Sequence, residues 1–204
     1  VYVQDGDIIL EDGEDKKNVL ALKDLKLLGD HNVENVLAAV AISYYMGVPV
    51  ETIRDVATSF KAVEHRIEYV DTIKGVAYYN DSKGTNPDAA IKGIQAMVAP
   101  TYLIGGGVDK GSEYDDWIEA FGGKVKCLVL IGQTAQKIAD CAKRHGFNSI
   151  MFEENLQDAV AYCYENAVDG DAVLLSPACA SWGQFDNYEQ RGRMFKEYVR
   201  SYKE

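Results

Sequence analysis

From Glu68 to the end of the chain, short apolar runs alternate with segments whose apolar residues recur every three or four positions. No other feature limits the fold as strongly. The strand-like runs are Ile67 to Ile73 and Val76 to Asn80, a hairpin around Lys74-Gly75, then Thr101 to Ile104, Cys127 to Ile131, Ser149 to Phe152 and Ala172 to Leu175. Helices are predicted from Pro87, over Tyr114 to Phe121, Thr134 to Arg144 and Leu156 to Asn166, and from about Glu189. Gly122, Gly146 and Gly170 fall just past helix ends or before strands, where a chain reverses most easily. Strands separated by helices cannot pair as hairpins. They form a mostly parallel sheet with helices on both faces, an α/β doubly wound, Rossmann-like domain.

The earlier part of the chain follows another pattern. Val1 to Leu10 alternates apolar and polar residues about Asp5-Gly6, a hairpin signal; Asp12 to Lys17 reads as a charged turn. Val19 to Leu22 and Leu25 to Leu28 read as further strands ending at Gly29. One helix is expected from Asn32, marked by Val33, Val36, Leu37, Val40 and Tyr44, and a second by Ile53, Val56, Ala57 and Phe60. This reads as the tail of a domain over residues 1–64, with a second domain over 65–204; a chain opening in mid-strand without Met is expected to be a fragment.

With 204 residues, 47% of them apolar, a sizeable core is available. The balance of 21 basic against 32 acidic residues, net −11, argues against nucleic acid or an anionic membrane as partner, so any anionic ligand must be held by a local cluster. Cys127, Cys141, Cys163 and Cys179 form no C-x-x-C pair, and no signal peptide or long apolar run is present, so reduced thiols and a cytoplasmic location are expected. The histidines, His31, His65 and His145, are far apart, and no metal site is expected.

The stretch Asn80 to Ala90 joins a strand end to a helix start. Asn86 can cap the helix, Pro87 suits its first position and Asp88 its first turn. Capping leaves Asp81 and Lys83 unexplained: they read either as functional groups facing the crevice of an open sheet or as a solvated surface pair. Gly105-Gly106-Gly107 follows a strand but lacks the third glycine of a dinucleotide-binding turn, and Ser112 stands where a phosphate-binding loop has lysine. The glycines more simply allow a tight turn that places Lys110 in the crevice. Cys179 has no histidine after it in sequence and reads as a small apolar filler. On the residues alone Ser181 reads as a cap and Tyr188 as core, while Glu189, Arg191, Arg193, Lys196 and Glu197 read as a solvated helix face.

Four blocks carry a resemblance. Gly29 to Ala39, His65-Arg66-Ile67-Glu68, Asn80-Asp81-Ser82-Lys83-Gly84-Thr85-Asn86-Pro87-Asp88-Ala89 and Leu174 to Phe185 occur in this order across nearly the whole chain. Together they resemble the Mur ligases of peptidoglycan synthesis, in the glutamate-adding branch. Two positions depart from that pattern, Gly84 where Ala is expected and Gly183 where Asp is expected.

The resemblance implies the C-terminal part of an ATP-dependent ligase that uses Mg2+, activates UDP-N-acetylmuramoyl-L-alanine as an acyl phosphate and adds D-glutamate. It implies Lys83 and Lys110 as catalytic lysines facing the glutamate, with Thr85, Ser181 and Tyr188 also on that substrate. It places Asn32, Asn35, Arg66 and Asp81 on the nucleotide, with a cap role open for Asn32. It further implies that residues 1–64 are the truncated C-terminal part of a central ATP-binding domain and 65–204 the glutamate-ligase domain, that the N-terminal domain and the rest of the central one lie outside these residues, and that the isolated chain is without activity. Two alternatives stand beside it: a sister Mur or folylpolyglutamate-type ligase, and a nucleotide-binding Rossmann module, which a pyrophosphate at Gly105 to Gly107 would favour.

Overall fold

The computed structural model describes residues 1–203. Two compact units divide the chain, Val1–Ala62 and Val63–Glu204.

In the first unit, β1 (Tyr2–Gln4), β2 (Asp7–Asp12) and β3 (Asp15–Ala21) make an antiparallel sheet. Asp5 and Gly6 join β1 to β2 with φ of 53° and 85°, the pair of positive angles that a two-residue hairpin of this twist needs. The expected charged turn at Asp12 to Lys17 is shorter than its charges suggest, because β3 begins at Asp15 and Lys16 lies across the ladder from Glu11. Leu25 to Leu28 is not a strand. Leu22–Asp24 forms a 3-10 turn instead, and Leu22, Leu25 and Leu27 pack on the core with no neighbouring strand to pair them. Two helices follow, α1 (Asp30–Tyr45) and α2 (Val50–Ser59), and bury Val36, Val40 and Ile53 against Ile8, Leu10, Val19 and Leu20.

The second unit opens with the antiparallel hairpin β4 (Glu68–Ile73) and β5 (Val76–Asn80). Then come α3 (Pro87–Gln95), β6 (Thr101–Gly105), α4 (Asp115–Glu119), β7 (Val125–Leu130), α5 (Ala135–Arg144), β8 (Ile150–Phe152), α6 (Leu156–Asn166), β9 (Ala172–Leu175) and α7 (Tyr188–Ser201). The sheet order is β4-β5-β9-β6-β7-β8, parallel except at the β4–β5 edge. Alternate strand residues, including Tyr78, Ile104, Val129 and Val173, face α6 and α7 through Leu156, Val160, Phe195 and Val199. Their neighbours Leu103, Leu128, Leu130 and Leu174 are fully buried as well, so both faces are covered and the strands read as continuous apolar runs. At α3, the Asn86 side chain accepts a hydrogen bond from Ala89 N and Pro87 takes the first helical position, as the sequence predicts. Among the described residues no helix is long and apolar enough to cross a membrane.

Candidate functional site

The connection from β5 to β6 passes over β9, and three loops leave the carboxyl ends of β5, β9 and β6 side by side. In an open α/β sheet such a change of strand order opens a crevice for ligands. At the end of β5, buried Asn80 directs Nδ2 to His65 Nδ1 at 2.9 Å and to Glu68 Oε2 at 3.0 Å, while its Oδ1 accepts from Ser82 N at 3.2 Å. An amide nitrogen only donates, so His65 Nδ1 accepts and its proton sits on Nε2. Burial lowers the His65 pKa, so the ring is neutral and Glu64 Oε1, 3.7 Å from Nε2, does not form a charged pair with it.

His65 and Ile67 hold positive φ, 67° and 46°. That conformation costs on the order of 1 to 3 kcal/mol per residue and is least tolerable for a β-branched side chain. Two bonds from the loop region pin the pair: Lys83 N donates to His65 O at 3.0 Å and Ile67 N to Asp81 Oδ1 at 3.3 Å. Arg66, between them, is exposed.

Asp81 does not form a solvated pair with Lys83. It is 6% exposed, and Ser176 Oγ donates to its Oδ2 at 2.7 Å. Burial pushes its pKa up to about 7, against the opposing pull of Ser176, Ile67 N, Arg66 and Arg191. Gly84 and Gly93 leave the room for this inward turn, since a Cβ at either would lie 2.7 or 2.8 Å from Asp81 Oδ2.

Lys83 instead reaches α7, where its Nζ is 3.1 Å from Tyr188 Oη and 4.9 Å from the ring centroid. Ser82 Oγ donates to Tyr188 O at 2.8 Å, and the Asn187 side chain caps the helix by accepting from Gln190 N at 2.7 Å. Thr85 follows, half-buried, its N bonded to Lys83 O at 2.8 Å.

The expected solvated face of α7 is overturned at two positions. Arg191 is 1% exposed and donates from Nε to Ser82 Oγ at 2.9 Å, from one terminal nitrogen to Ser82 O at 2.7 Å and from the other to Cys179 O at 3.3 Å. Burial lowers its pKa to about 10, which leaves it charged at neutral pH. Lys196 is also buried, donating to Glu64 Oε1 at 2.7 Å and Glu68 Oε1 at 3.0 Å. A periodic signal existed: Tyr188, Arg191, Phe195 and Val199 recur every three or four residues, so Arg191 lies on the stripe that carries the apolar anchors. Arg191 and Ser176 are therefore the site residues that reading by residue type passes over.

The glycine run is consumed by loop packing. Gly106 N donates to Pro177 O at 2.9 Å, Gly107 N to Thr134 Oγ1 at 3.0 Å and Val108 N to Ala180 O at 3.0 Å, so three successive amides are turned away from any phosphate. Gly106 and Gly107 have φ of 101° and 152°, and a Cβ would run into Ile131 O at the first and Ala180 O at the second. Beyond the run Lys110 is exposed, its Nζ 5.1 Å from the centroid of the Trp182 ring. Ser181, beside that ring, is 5% exposed. Cys179 is buried within 3.1 Å of Tyr114 Oη and 3.3 Å of Thr134 Oγ1, and burial raises its pKa, which leaves it a poor nucleophile.

Bonds thus join the three loops. Ala178 N to Gly84 O and Arg191 tie the β5 and β9 loops, and Val108 to Ala180 ties the β6 and β9 loops. Lys83, Thr85, Lys110, Ser181 and Tyr188 all stand on these loops or at the start of α7. Asn32 and Asn35 belong to the first unit. Asn32 is not a cap, because α1 starts at Asp30 behind Gly29; its Nδ2 donates to Leu28 O at 2.7 Å, and exposed Asn35 reaches Asn32 Oδ1 at 3.4 Å.

Residues 65–179 match the family described as Mur ligase, glutamate ligase domain. The chain is 59% identical over 96% of its length to a UDP-N-acetylmuramoylalanine--D-glutamate ligase of Lachnospira eligens, and 53% identical over 100% to one of Lachnoclostridium phytofermentans. It spans 44% and 45% of the lengths of these relatives. The fold is similar to a crystal structure of UDP-N-acetylmuramate-alanine ligase from Thermotoga maritima, with a TM-score of 0.66 at 19% identity, covering 88% of this chain and 40% of the other.

Proposed function

Because the chain belongs to the Mur ligase family through its glutamate ligase domain, we propose that it is the amino-acid-binding end of an ATP-dependent ligase joining D-glutamate to UDP-N-acetylmuramoyl-L-alanine. The names of its relatives support this substrate, and Lys83 carries the reading. In a chain of net charge −11, this ammonium has no carboxylate in direct salt-bridge contact among the described residues; Tyr188, 3.1 Å away, steadies it, and Glu189 feels its charge from further off. A cation held in place with no carboxylate bonded directly to it suits an incoming carboxylate.

D-Glutamate carries two carboxylates, and Lys83 and Lys110 supply a charge for each. The hydroxyls of Thr85 and Ser181 and the Tyr188 ring complete the pocket. The reaction activates the muramoyl carboxylate as an acyl phosphate. The glutamate amine then attacks the acyl carbon, a peptide bond forms and phosphate leaves. Held by both carboxylates, the amine meets the acyl carbon in one orientation, and the lysines offset negative charge nearby. Asn32 and Asn35 in the first unit, and Arg66 and Asp81 in the second, are each assigned to contacts with the base and ribose of the nucleotide. This chain offers no cradle for the triphosphate and its Mg2+, because the Gly106 and Gly107 amides are engaged and Ser112 occupies the position a phosphate loop gives to lysine. The triphosphate and its Mg2+ are therefore held by parts of the longer enzyme that this chain does not carry. A cytoplasmic location follows from the nucleotide-linked substrates.

The test is kinetic, in an enzyme of the relatives' full length. Lys83→Ala or Lys110→Ala should weaken D-glutamate by about 1.5 to 3 kcal/mol, the worth of a hydrogen bond to a charged group, while the KM for ATP holds. Equal losses for both ligands would overturn the assignment.

A further inference from the structure

The described residues hold two clusters of side chains able to ligate a metal, Glu64 with His65 and Glu68 beside the β5 loop, and Asp115 with Cys141 and His145 between α4 and α5. The first is already neutralised, because Lys196 donates to both of its acids at 2.7 and 3.0 Å. The second is arranged differently. Cys141 and His145 lie one turn apart at the end of α5, where His145 N still bonds Cys141 O at 3.2 Å, so both side chains leave the same face of the helix. The neighbouring helix α4 contributes Asp115 and Glu119, again one turn apart.

We propose that Asp115, Cys141 and His145 form a zinc-binding clasp between α4 and α5. Their donor atoms lie within 4.8 Å of one another, and His145 Nε2 already meets Asp115 Oδ1 at 2.8 Å. Donor spacing around a tetrahedral zinc is about 3 to 4 Å, given bonds of about 2.0 to 2.3 Å, so closure needs side-chain rotation only. A thiolate, an imidazole and a carboxylate select zinc over magnesium or calcium, and solvent on the half-exposed side supplies a fourth ligand. The other imidazole nitrogen completes the arrangement. Its Nδ1 lies 3.6 Å from Glu119 Oε1, the outer carboxylate that commonly orients a metal-bound histidine. Arg144, 3.7 Å from Asp115 and 60% exposed, can withdraw into solvent when the metal enters. Burial raises the Cys141 thiol pKa, so binding releases a proton from sulfur to solvent and strengthens as pH rises.

A zinc site here departs from the expectation that the scattered histidines leave none. Cys141-x-x-x-His145 is visible in the chain, whereas Asp115, 26 positions before Cys141, joins it through the packing of α4 on α5.

Cobalt reports on thiolate ligation directly. Titrating Co2+ into the purified, reduced chain should raise a near-ultraviolet thiolate-to-cobalt charge-transfer band that saturates at one equivalent and disappears when Zn2+ is added. Cys141→Ser should abolish the band. His145→Gln and Asp115→Asn, on the exposed shoulder of the site, should each weaken Zn2+ binding at least about tenfold in a competition assay, and Glu119→Gln by about tenfold. A chain without the band, a band that survives Cys141→Ser, or equal Zn2+ affinity in His145→Gln and Asp115→Asn would leave these residues as an ion-paired helix contact and overturn the proposal. Should Cys141→Ser fail to fold, the two exposed variants decide.

Discussion

Asp81 and His65 lie on the same loop contact and respond to pH in opposite senses. The folded pKa of Asp81, about 7, stands above its ordinary 3.8 because the carboxyl is buried on Ser176. Its contribution to stability is therefore fully present below pH 3.8 and is lost as pH rises through about 7, by on the order of 4 kcal/mol at about 1.36 kcal/mol per unit. His65 is lowered by burial, so its contribution is present above its ordinary 6.5 and is lost as pH falls through the lowered value. Just below pH 6.5 the two slopes oppose each other. Asp81→Asn removes only one of them. Urea unfolding of that variant should gain stability relative to wild type as pH rises from about 5 to 8. Gly84→Ala should do the same by forcing the carboxylate outward, since its Cβ would meet Asp81 Oδ2 at 2.7 Å and Ser176 Oγ at 2.9 Å. Parallel profiles for wild type and both variants would mean that Asp81 titrates as an ordinary surface acid. Gly84, where the resemblance leads to an expectation of Ala, thus has a physical effect here: it leaves room for Asp81 to rest inward.

Helix α7 connects the loops to the core. One face anchors it through Phe195 and Val199, and the same stripe carries Arg191 to Ser82 and Cys179. Arg191→Lys keeps the charge but loses the fork that reaches three acceptors at once, leaving buried carbonyls unsatisfied. We expect a loss of about 2 to 4 kcal/mol in urea unfolding, with faster amide hydrogen exchange in the loops at 81–85 and 178–182 than in β6 and β7. Uniform acceleration through the sheet would instead mark Arg191 as general core. Elements of this kind separate what the sequence discloses from what it hides. The bounds of α6, the Asn86 cap and Pro87 follow from neighbours within four residues, and they are legible. The inward turn of Asp81 depends on Ser176, 95 positions away, and the burial of Arg191 on Ser82, 109 positions away. Residue type alone places a charged arginine in water. Only tertiary packing supplies the hydroxyl and carbonyls that let it be buried, and only the pinning of His65 and Ile67 by the Asp81 and Lys83 segment makes their positive φ tolerable.

At the scale of the whole chain, the distribution of charge and loop geometry separates two tasks. The loops after β5, β6 and β9 and the start of α7 carry Lys83, Lys110, Thr85, Ser181 and Tyr188, the residues proposed to take D-glutamate. The strand end that could have held a triphosphate has its amides bonded to Pro177, Thr134 and Ala180. D-Glutamate should therefore bind to the isolated chain without being turned over. In nuclear magnetic resonance titrations, D-glutamate should shift amide signals of the Lys83 to Thr85 and Ser181 to Tyr188 segments, and L-glutamate should shift them less. With ATP, Mg2+, UDP-N-acetylmuramoyl-L-alanine and D-glutamate all present, ADP release should not exceed a control without protein. ADP release above that control would mean that these residues do cradle the triphosphate, and the bonding of the Gly106 to Val108 amides would then have to open in solution.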